Sequence, residues 1–594
     1  MIAAHPDGTP KYWIVTAIWL AVFLAALPFV FGRAGDVIVD SFYDLTVAMR
    51  LQSGEALYRD LAYLYGPVGA WVDWLWSSVF GLTVRAYLLI CALLAAVELH
   101  MADRIARRYL APPGRLFLLF GLMGVFTFHS ELFGRLMPYS LSSFLAELGF
   151  LIFLDRWISA RESANSNISA AAAGIAAGLL LHTKVEFGVV ATIAICLDIL
   201  FEQCIAASGS GRTAQRKGLI YGWALGVGLG FALLLPLGGD VFLYFSSADP
   251  RPYLTTDAGK KLAESAGSIT SLKQLVQLAA FAVGSAAIML LSAAVFWLIS
   301  VRNIRTGLLV FSSGALVWLL WPFIGSWLDY TPLPGVILFL ALCAAALLPD
   351  LQHNAANRTK LLLVLAAGGC LLRCLGALCP GLYGSFYLLP ALVVSIALSG
   401  EWGRWLDFKQ PHFSAQAMAF GFFVLSLWGA EANFQRFRVK NYSPSSALMP
   451  FATDKNRGQI IGDTLVFLSE KVRPGEYLAV MPQEPIISFA LQAKPVFPDH
   501  NFIAHAVRGD SMAALALKFE TRKPKFVVVS NRPYREGGLG PFGSNYAREI
   551  QALIDRDYTV VRKFGPSPFP ADDAVAIWVS FPSYAITVYE LKEQ

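Results

Sequence analysis

Charge is what this sequence has least of. Only 15% of its 594 residues are Asp, Glu, Lys or Arg, against roughly a quarter in ordinary soluble proteins. The net charge of +6 is small for such a length and reads as basic cytoplasmic loops rather than a nucleic-acid surface, so no nucleic-acid partner is expected. Cysteine is scarce too. Cys91, Cys196, Cys204, Cys343, Cys370, Cys374 and Cys379 all lie in or beside apolar runs, and the last two hundred residues hold none. Disulfides therefore do not staple the exposed parts. Cys370 and Cys374 share a helix face as small packing residues. No internal repeat is visible, and no Gly-x-Gly-x-x-Gly turn follows a strand, which argues against a dinucleotide site.

What fills the sequence instead is apolar. Hydrophobic residues make up 56% and the mean hydropathy is +0.55. Many runs reach the roughly 18–20 residues a helix needs to cross the hydrocarbon core. Thirteen spans are expected, near 12–31, 83–101, 116–130, 138–154, 168–183, 186–202, 218–238, 276–300, 307–325, 331–348, 361–379, 385–399 and 414–432. The first run, Tyr12 to Phe31, lacks a small-x-small cleavage site and reads as a retained helix. Gly66–Gly81 carries Trp71, Asp73, Trp74 and Trp76; tryptophans favour the headgroup boundary, so this stretch is expected to lie on the outer surface.

Loop charge orients the chain. Arg104, Arg107, Arg108, Arg115, Arg156, Arg161, Arg212, Arg216, Lys217, Arg302, Arg305, Arg358, Lys360, Arg404 and Lys409 fall in alternate loops. Those loops are cytoplasmic if the N-terminus is inside. The loops 32–82 and 239–275 and everything after 433 then lie outside, as expected of a multi-pass protein of a bacterial inner membrane surrounded by membrane lipids.

The tail is a different material. Residues 456–472 have helical spacing, and 546–555 read as a second helix. Tyr477–Met481, Phe526–Ser530, Tyr558–Lys563, Ala574–Val579 and Ile586–Leu591 read as strands. The fold class is thus a polytopic α-helical membrane protein, 1–432, with a small extracytoplasmic α/β domain, 433–594. Glu536–Gly543 is glycine-rich and reads as a loop, not a phosphate cradle.

The chemistry-bearing segment follows the first span. Asp36, Asp40 and Asp44 recur every four residues and would share one face of a helix. Carboxylates so crowded repel, and they need cations, hydrogen bonds or a metal to persist. From spacing alone, a solvated acidic loop explains them equally well. Asp40-x-x-x-Asp44 leads on to Arg50, Gly54-x-x-x-Tyr58-Arg59-Asp60 and Tyr65-Gly66-Pro67.

This block resembles the first periplasmic loop of GT-C glycosyltransferases, in the bacterial branch related to protein O-mannosyltransferases and the lipid A aminoarabinose transferase. The helix count, the outward tail and Phe386-Tyr-Leu-Leu-Pro-Ala391 at the start of a late helix fit the same family. The resemblance implies transfer of a sugar from a polyprenyl-phosphate donor to a hydroxyl of a glycan, lipid or protein acceptor, with inversion. It also implies a general base in the first loop. Asp40 is the first choice by its spacing to Gly54, Asp44 the second and Asp36 the third. The family more often shows an adjacent acidic pair, whereas Asp40 precedes Ser41, so Asp40 and Asp44 both stay open. Asp60 is expected to hold the loop in shape through Arg59 or Arg50.

Two more polar groups interrupt apolar runs at outer ends: His129-Ser-Glu131 with Arg135, and His182-Thr-Lys184-Val-Glu186. Ionisable groups at membrane depth face a cavity or a partner. Lys184, Arg135 and Arg50 are the candidate donor-phosphate ligands, and Glu131 is a candidate second acid. A Lys184–Glu186 loop pair is the plain alternative. His129 and His182 could join carboxylates around a divalent metal, though helix-end histidines are commonly structural, and no cofactor is certain. Two rival classes remain: a transporter or flippase of lipid-linked glycans, and a membrane-anchored glycan-binding assembly protein.

Overall fold

The computed structural model describes residues 11–33, 35, 42–129, 134–162, 166–205, 213–247, 255–265, 333–349, 351, 354–371, 385–401, 411–443, 451–534, 537–565 and 584–593. The expected spans 276–300 and 307–325, the strand Ala574–Val579, and Asp36, Asp40 and Glu131 lie outside the described residues.

In chain order the first part forms α1 (Lys11–Val30), α2 (Tyr43–Gln52), α3 (Pro67–Phe80), α4 (Val84–Ala106), α5 (Pro112–Leu122), α6 (Leu141–Glu162), α7 (Ser166–Leu181) and α8 (Val185–Ile205). It continues with α9 (Thr213–Ala232), α10 (Val241–Ser247), α11 (Asp257–Ser265), α12 (Leu333–Leu347), α13 (Ala355–Cys370), α14 (Ser385–Ala397) and α15 (Pro411–Val439). Eleven of the expected spans fall on these helices. Two stretches, Trp13–Val30 and Val84–Ala106, are long and apolar enough to cross a bilayer by length and composition among the described residues.

The helices are inside-out by the standards of a soluble protein. On α4, Leu89, Leu93 and Val97 face outward, one turn apart, while Glu98 and Asp103 are buried. On α8, Val185, Val189 and Ile193 make the same outward stripe, and Asp198 is buried. Water would penalise such apolar stripes, and hydrocarbon does not. The buried charges are paired. Asp103 takes Arg115 at 2.7 Å, Asp155 takes Arg104 at 3.1 Å and Arg108 at 3.0 Å. Arg161 joins Asp198 and Glu202. These pairs tie together the basic helix ends that the sequence assigns to one side.

Two helices differ from expectation. The segment expected at 116–130 is α-helical only to Leu122 and then becomes a π turn, Met123–Thr127. The helix expected at 414–432 runs on to Val439, because its last turns carry Arg436 and Arg438 and leave the apolar stretch that hydropathy detects. The composition change at 433 therefore falls inside α15.

The tail contains α16 (Lys455–Ser469), β1 (Tyr477–Met481), α17 (Pro485–Ala490), β2 (Lys494–Pro495), α18 (Phe502–Arg508), α19 (Met512–Arg522), β3 (Phe526–Ser530), α20 (Arg548–Asp557), β4 (Tyr558–Phe564) and β5 (Ile586–Leu591). The five strands form one sheet in the order β2-β1-β3-β5-β4. β1 runs parallel to β2 and β3, while β5 is antiparallel to both β3 and β4. Alternation along the strands covers both faces. Leu478, Val480, Phe526, Val528, Ile586 and Val588 join a core that continues through Phe451 and Phe42 into the helical bundle. Ala479, Met481 and Val527 face the other way, onto Phe502, Leu515, Phe519, Ile550 and Ile554.

The tail packs directly on the first loop. The Arg50 guanidinium donates to the carbonyls of Phe497 at 3.2 Å and Pro498 at 2.7 Å, and Ala62 N donates to Pro498 O at 3.0 Å. Phe42 meets Phe451 and Phe489, with ring centroids 5.3 and 6.0 Å apart. Loop and tail must therefore lie on the same side of a bilayer. That requires an even number of crossings between residues 82 and 433, where hydropathy places twelve.

Candidate active site

Two of the candidate residues, Asp44 and Lys184, converge on the first turn of α6. Ser140, Leu141, Ser142 and Ser143 are all fully buried there. Asp44, one residue into α2, reaches across so that its Oδ2 accepts from Leu141 N at 2.6 Å and from the Tyr87 hydroxyl at 3.1 Å. A carboxylate at a helix N-terminus is favoured by the unpaired N–H groups and the dipole. Lys184 arrives from the turn between α7 and α8. Its Nζ donates to Ser143 Oγ at 2.7 Å and to the Tyr139 hydroxyl at 3.2 Å. The same ammonium lies 5.4 Å from the Tyr65 ring centroid and 5.1 Å from that of Tyr387. Tyr63 completes the group, its hydroxyl 2.9 Å from Ser142 Oγ.

The Tyr-Gly-Pro motif makes this convergence sterically possible. Gly66 N donates to Thr183 O at 3.2 Å, and Val68 N donates to His182 O at 3.1 Å. A Cβ on Gly66 would sit 2.0 Å from the His182 carbonyl oxygen, so only glycine lets the first loop lie against the Lys184 turn. Pro67 then opens α3 at a position where its missing N–H costs nothing. Gly54, at φ +87°, closes the end of α2 in a backbone region that side chains disfavour.

The other basic candidates are held by protein groups. Arg135, fully buried, pairs with Glu98 at 3.0 Å and also with Glu147. Arg50, equally buried, pairs with Glu55 at 2.6 Å and donates to the carbonyls of Asp60, Phe497 and Pro498. The structure thus places both inside tie points, an arrangement that hydropathy and spacing do not reveal. Asp60 does hold the loop as expected: it pairs with Arg59 at 2.9 Å, and its Oδ2 accepts from Ala56 N. The Arg59 hydrogen bond keeps the Asp60 carboxyl below its usual range.

Asp73 is the residue that sequence reasoning missed. It lies on α3, is 3% exposed, and its Oδ2 has no hydrogen-bond partner among the described residues. Burial first, and then the nearby Asp44, push its carboxyl well above the usual range. Its signal was present: a lone acid among Trp71, Trp74 and Trp76, where a surface helix would turn its charge to water.

Beside Lys184 is a cavity of about 390 Å³. Glu186, Phe187 and Val190 of α8, Gly369 and Cys370 of α13, and Tyr387 of α14 line it. Tyr387 is common to the lining of this largely apolar cavity and to the surroundings of the buried Lys184 ammonium. His182 packs against the rings of Phe231 and Tyr244 at 4.5 and 5.8 Å. Among the described residues, no group of three or more His, Cys, Asp or Glu side chains could hold a metal ion.

No protein-family model matches the chain, and no curated protein matches it. Solved structures do. The oligosaccharyltransferase of Archaeoglobus fulgidus in its apo form is similar over 94% of this chain and 80% of its own, at 12% identity and a TM-score of 0.48. The same enzyme in complex with zinc and sulfate is similar over 87% and 67%, at 14% identity and 0.45. ArnT from Cupriavidus metallidurans in the apo state is similar over 97% of both chains, at 14% identity and 0.40.

Proposed function

We propose that the chain is an integral membrane glycosyltransferase that moves a sugar from a polyprenyl-phosphate donor to an acceptor hydroxyl at the outer face of a bacterial inner membrane. One observation carries the reading: Tyr387 lines the apolar cavity of about 390 Å³, and its ring centroid lies 5.1 Å from the Lys184 ammonium. An isoprenoid chain suits such a space. A cation at its edge suits the phosphate that gathers negative charge as the sugar departs. The thirteen-span topology, with the N-terminus inside and the tail outside, belongs to the same proposal.

Asp40 is the base in this reading. Its neighbour Asp44 has its Oδ2 engaged by Leu141 N and Tyr87, which suits an anchor between α2 and α6 better than a proton acceptor. The acceptor hydroxyl passes its proton to Asp40 while its oxygen bonds to the anomeric carbon from the face opposite the phosphate. The bond from that carbon to the phosphate oxygen breaks, and polyprenyl phosphate leaves beside Lys184. Inversion follows from the single displacement.

The test is release of free polyprenyl phosphate from a panel of polyprenyl-phosphate sugars, using purified protein and an envelope extract as acceptor source. Release should require extract, vanish in Asp40→Asn and fall strongly in Lys184→Met. Release that survives Asp40→Asn but not Asp44→Asn moves the base to Asp44. Survival in both variants moves it to Glu131. No release from any donor, with lipid binding intact, favours a transporter or a scaffold.

A further inference from the structure

We propose that the tail carries a second ligand site, for an oxyanion-bearing group with a neighbouring hydroxyl, in the crevice beyond the carboxyl ends of β1 and β3. The strand order makes the crevice. From β1 the chain goes to β2 on one side, and later returns to β3 on the other. The connections leave β1 and β3 in opposite directions, and open α/β sheets bind ligands where such connections diverge. Met481 pairs with Val529 at the ends of the two parallel strands, so the residues that follow each of them line the opening.

Those residues are polar and buried. Gln483 and Glu484 follow β1, Ser530 ends β3 and Arg532 follows it, each 3% exposed or less. Tyr584, just before β5, donates its hydroxyl to Glu484 Oε1 at 3.1 Å, and Gln483 N donates to Glu484 Oε2 at 3.3 Å. Glu484 is thereby satisfied by its own surroundings and makes no ion pair with Arg532. The Arg532 guanidinium is 2% exposed, and its Nε and Nη1 have no hydrogen-bond partner among the described residues. The same holds for Gln483 Oε1 and the Tyr546 hydroxyl, while Ser530 lies against the Glu484 carboxyl.

A buried guanidinium with no acceptor among the described residues, and only the nearby Glu484 carboxyl as countercharge, is costly, and folds seldom keep one without a purpose. Its planar fork of N–H donors matches a carboxylate or phosphoryl oxyanion. Tyr546 can donate to the same group, while Gln483 Oε1 can accept from a hydroxyl beside it. An acidic or phosphorylated sugar has both parts. The crevice also adjoins the first loop, because Pro485 O, one residue past Glu484, accepts from Thr46 Oγ1 of α2 at 3.4 Å. The site is separate from Lys184 and does not depend on the transferase reading.

The experiment uses the full chain in nanodiscs of neutral phosphatidylcholine at low ionic strength, with chloride as the control anion. The thermal midpoint is followed against sulfate, glucose 1-phosphate and, in a separate arm, phosphatidic acid added to the disc. A saturable rise is expected that persists in Lys184→Met. The apparent Kd should weaken roughly tenfold or more in Arg532→Gln and about threefold in Tyr546→Phe. Tyr546→Phe keeps the test decisive if Arg532→Gln does not fold. A response to glucose 1-phosphate supports the site and makes a soluble glycan its source. A response confined to phosphatidic acid supports it and makes a lipid headgroup the source. The absence of any saturable response, or one unchanged in these tail variants, overturns the proposal.

Discussion

Replacing Gly66 by alanine probes the contact on which the candidate site depends. The added Cβ would lie 2.0 Å from His182 O and 2.2 Å from its carbonyl carbon. Both are backbone atoms, and neither can swing aside as a side chain would. Relief requires moving the Tyr65–Val68 segment away by more than an ångström. That breaks the Gly66–Thr183 and Val68–His182 hydrogen bonds, each worth about 0.5–1.5 kcal/mol. Residual crowding adds about 1–3 kcal/mol, for a total of about 2–6 kcal/mol. Tyr65 leaves the Lys184 ammonium in the process. The assay is tryptophan fluorescence during denaturant or thermal unfolding in detergent, with donor turnover alongside. Gly228→Ala is the control, since nothing lies within 4 Å of its Cβ position on α9, and alanine there should be neutral or slightly stabilising. The reasoning fails if Gly66→Ala unfolds like Gly228→Ala and keeps full turnover.

Three further outcomes are expected. Arg135→Met should destabilise the bundle by about 3–5 kcal/mol, because it strands two buried glutamates; Arg135→Met with Glu98→Gln and Glu147→Gln should recover most of it in the same unfolding assay. Arg50→Ala should expose the tail to limited proteolysis by removing its bonds to Phe497 O and Pro498 O, with cleavage rates as the measure. The tail should show a stability plateau in pH. Burial pushes Glu484 up to about 7 from 4.5, with Ser530, Arg532 and Tyr584 opposing, so its contribution is complete below pH 4.5 and is lost as pH rises to 7. Burial holds His500 down to about 3 from 6.5, with Asp499, Arg50 and His505 around it, so its contribution is complete above pH 6.5 and is lost as pH falls to 3. The two slopes, about 1.4 kcal/mol per pH unit each, cancel between 4.5 and 6.5. Glu484→Gln should remove the alkaline slope and His500→Gln the acidic one, read from unfolding curves across pH.

Periodicity and turn chemistry made much of this fold legible. Tyr477–Met481, Phe526–Ser530 and Ile586–Leu591 are strands at the residues their Val, Ile and Tyr content indicates. The two-residue β2 and the short helices α17 and α18 are set by their neighbours, since segments of that length have no period to read. In the site, the Tyr-Gly-Pro motif was visible as a pattern, but the reason for its glycine lies in a turn more than a hundred residues later. Lys184 stood out because a charge inside apolar sequence is conspicuous. Arg135 stood out for the same reason and Arg50 as part of the first-loop motif, yet spacing cannot distinguish a cation awaiting a ligand from one already tied to Glu98 or Pro498 O. Asp73 was hidden by its tryptophans, which suggested a surface.

The bond from Arg50 to Phe497 O spans 447 positions of sequence, and that gap is also a delay. A ribosome adding roughly 5–20 residues per second needs roughly 20–90 s between making the two ends. During that interval its anchoring carbonyls do not yet exist, so α2 waits with a guanidinium that has only Glu55 and the Asp60 carbonyl of its own loop to hold it. The loop can take its final shape only after α15 and the tail beyond it have been made. Maturation of the candidate site is thus coupled to completion of the chain, and a product that stops short of residue 497 carries the first-loop motif without the means to set it.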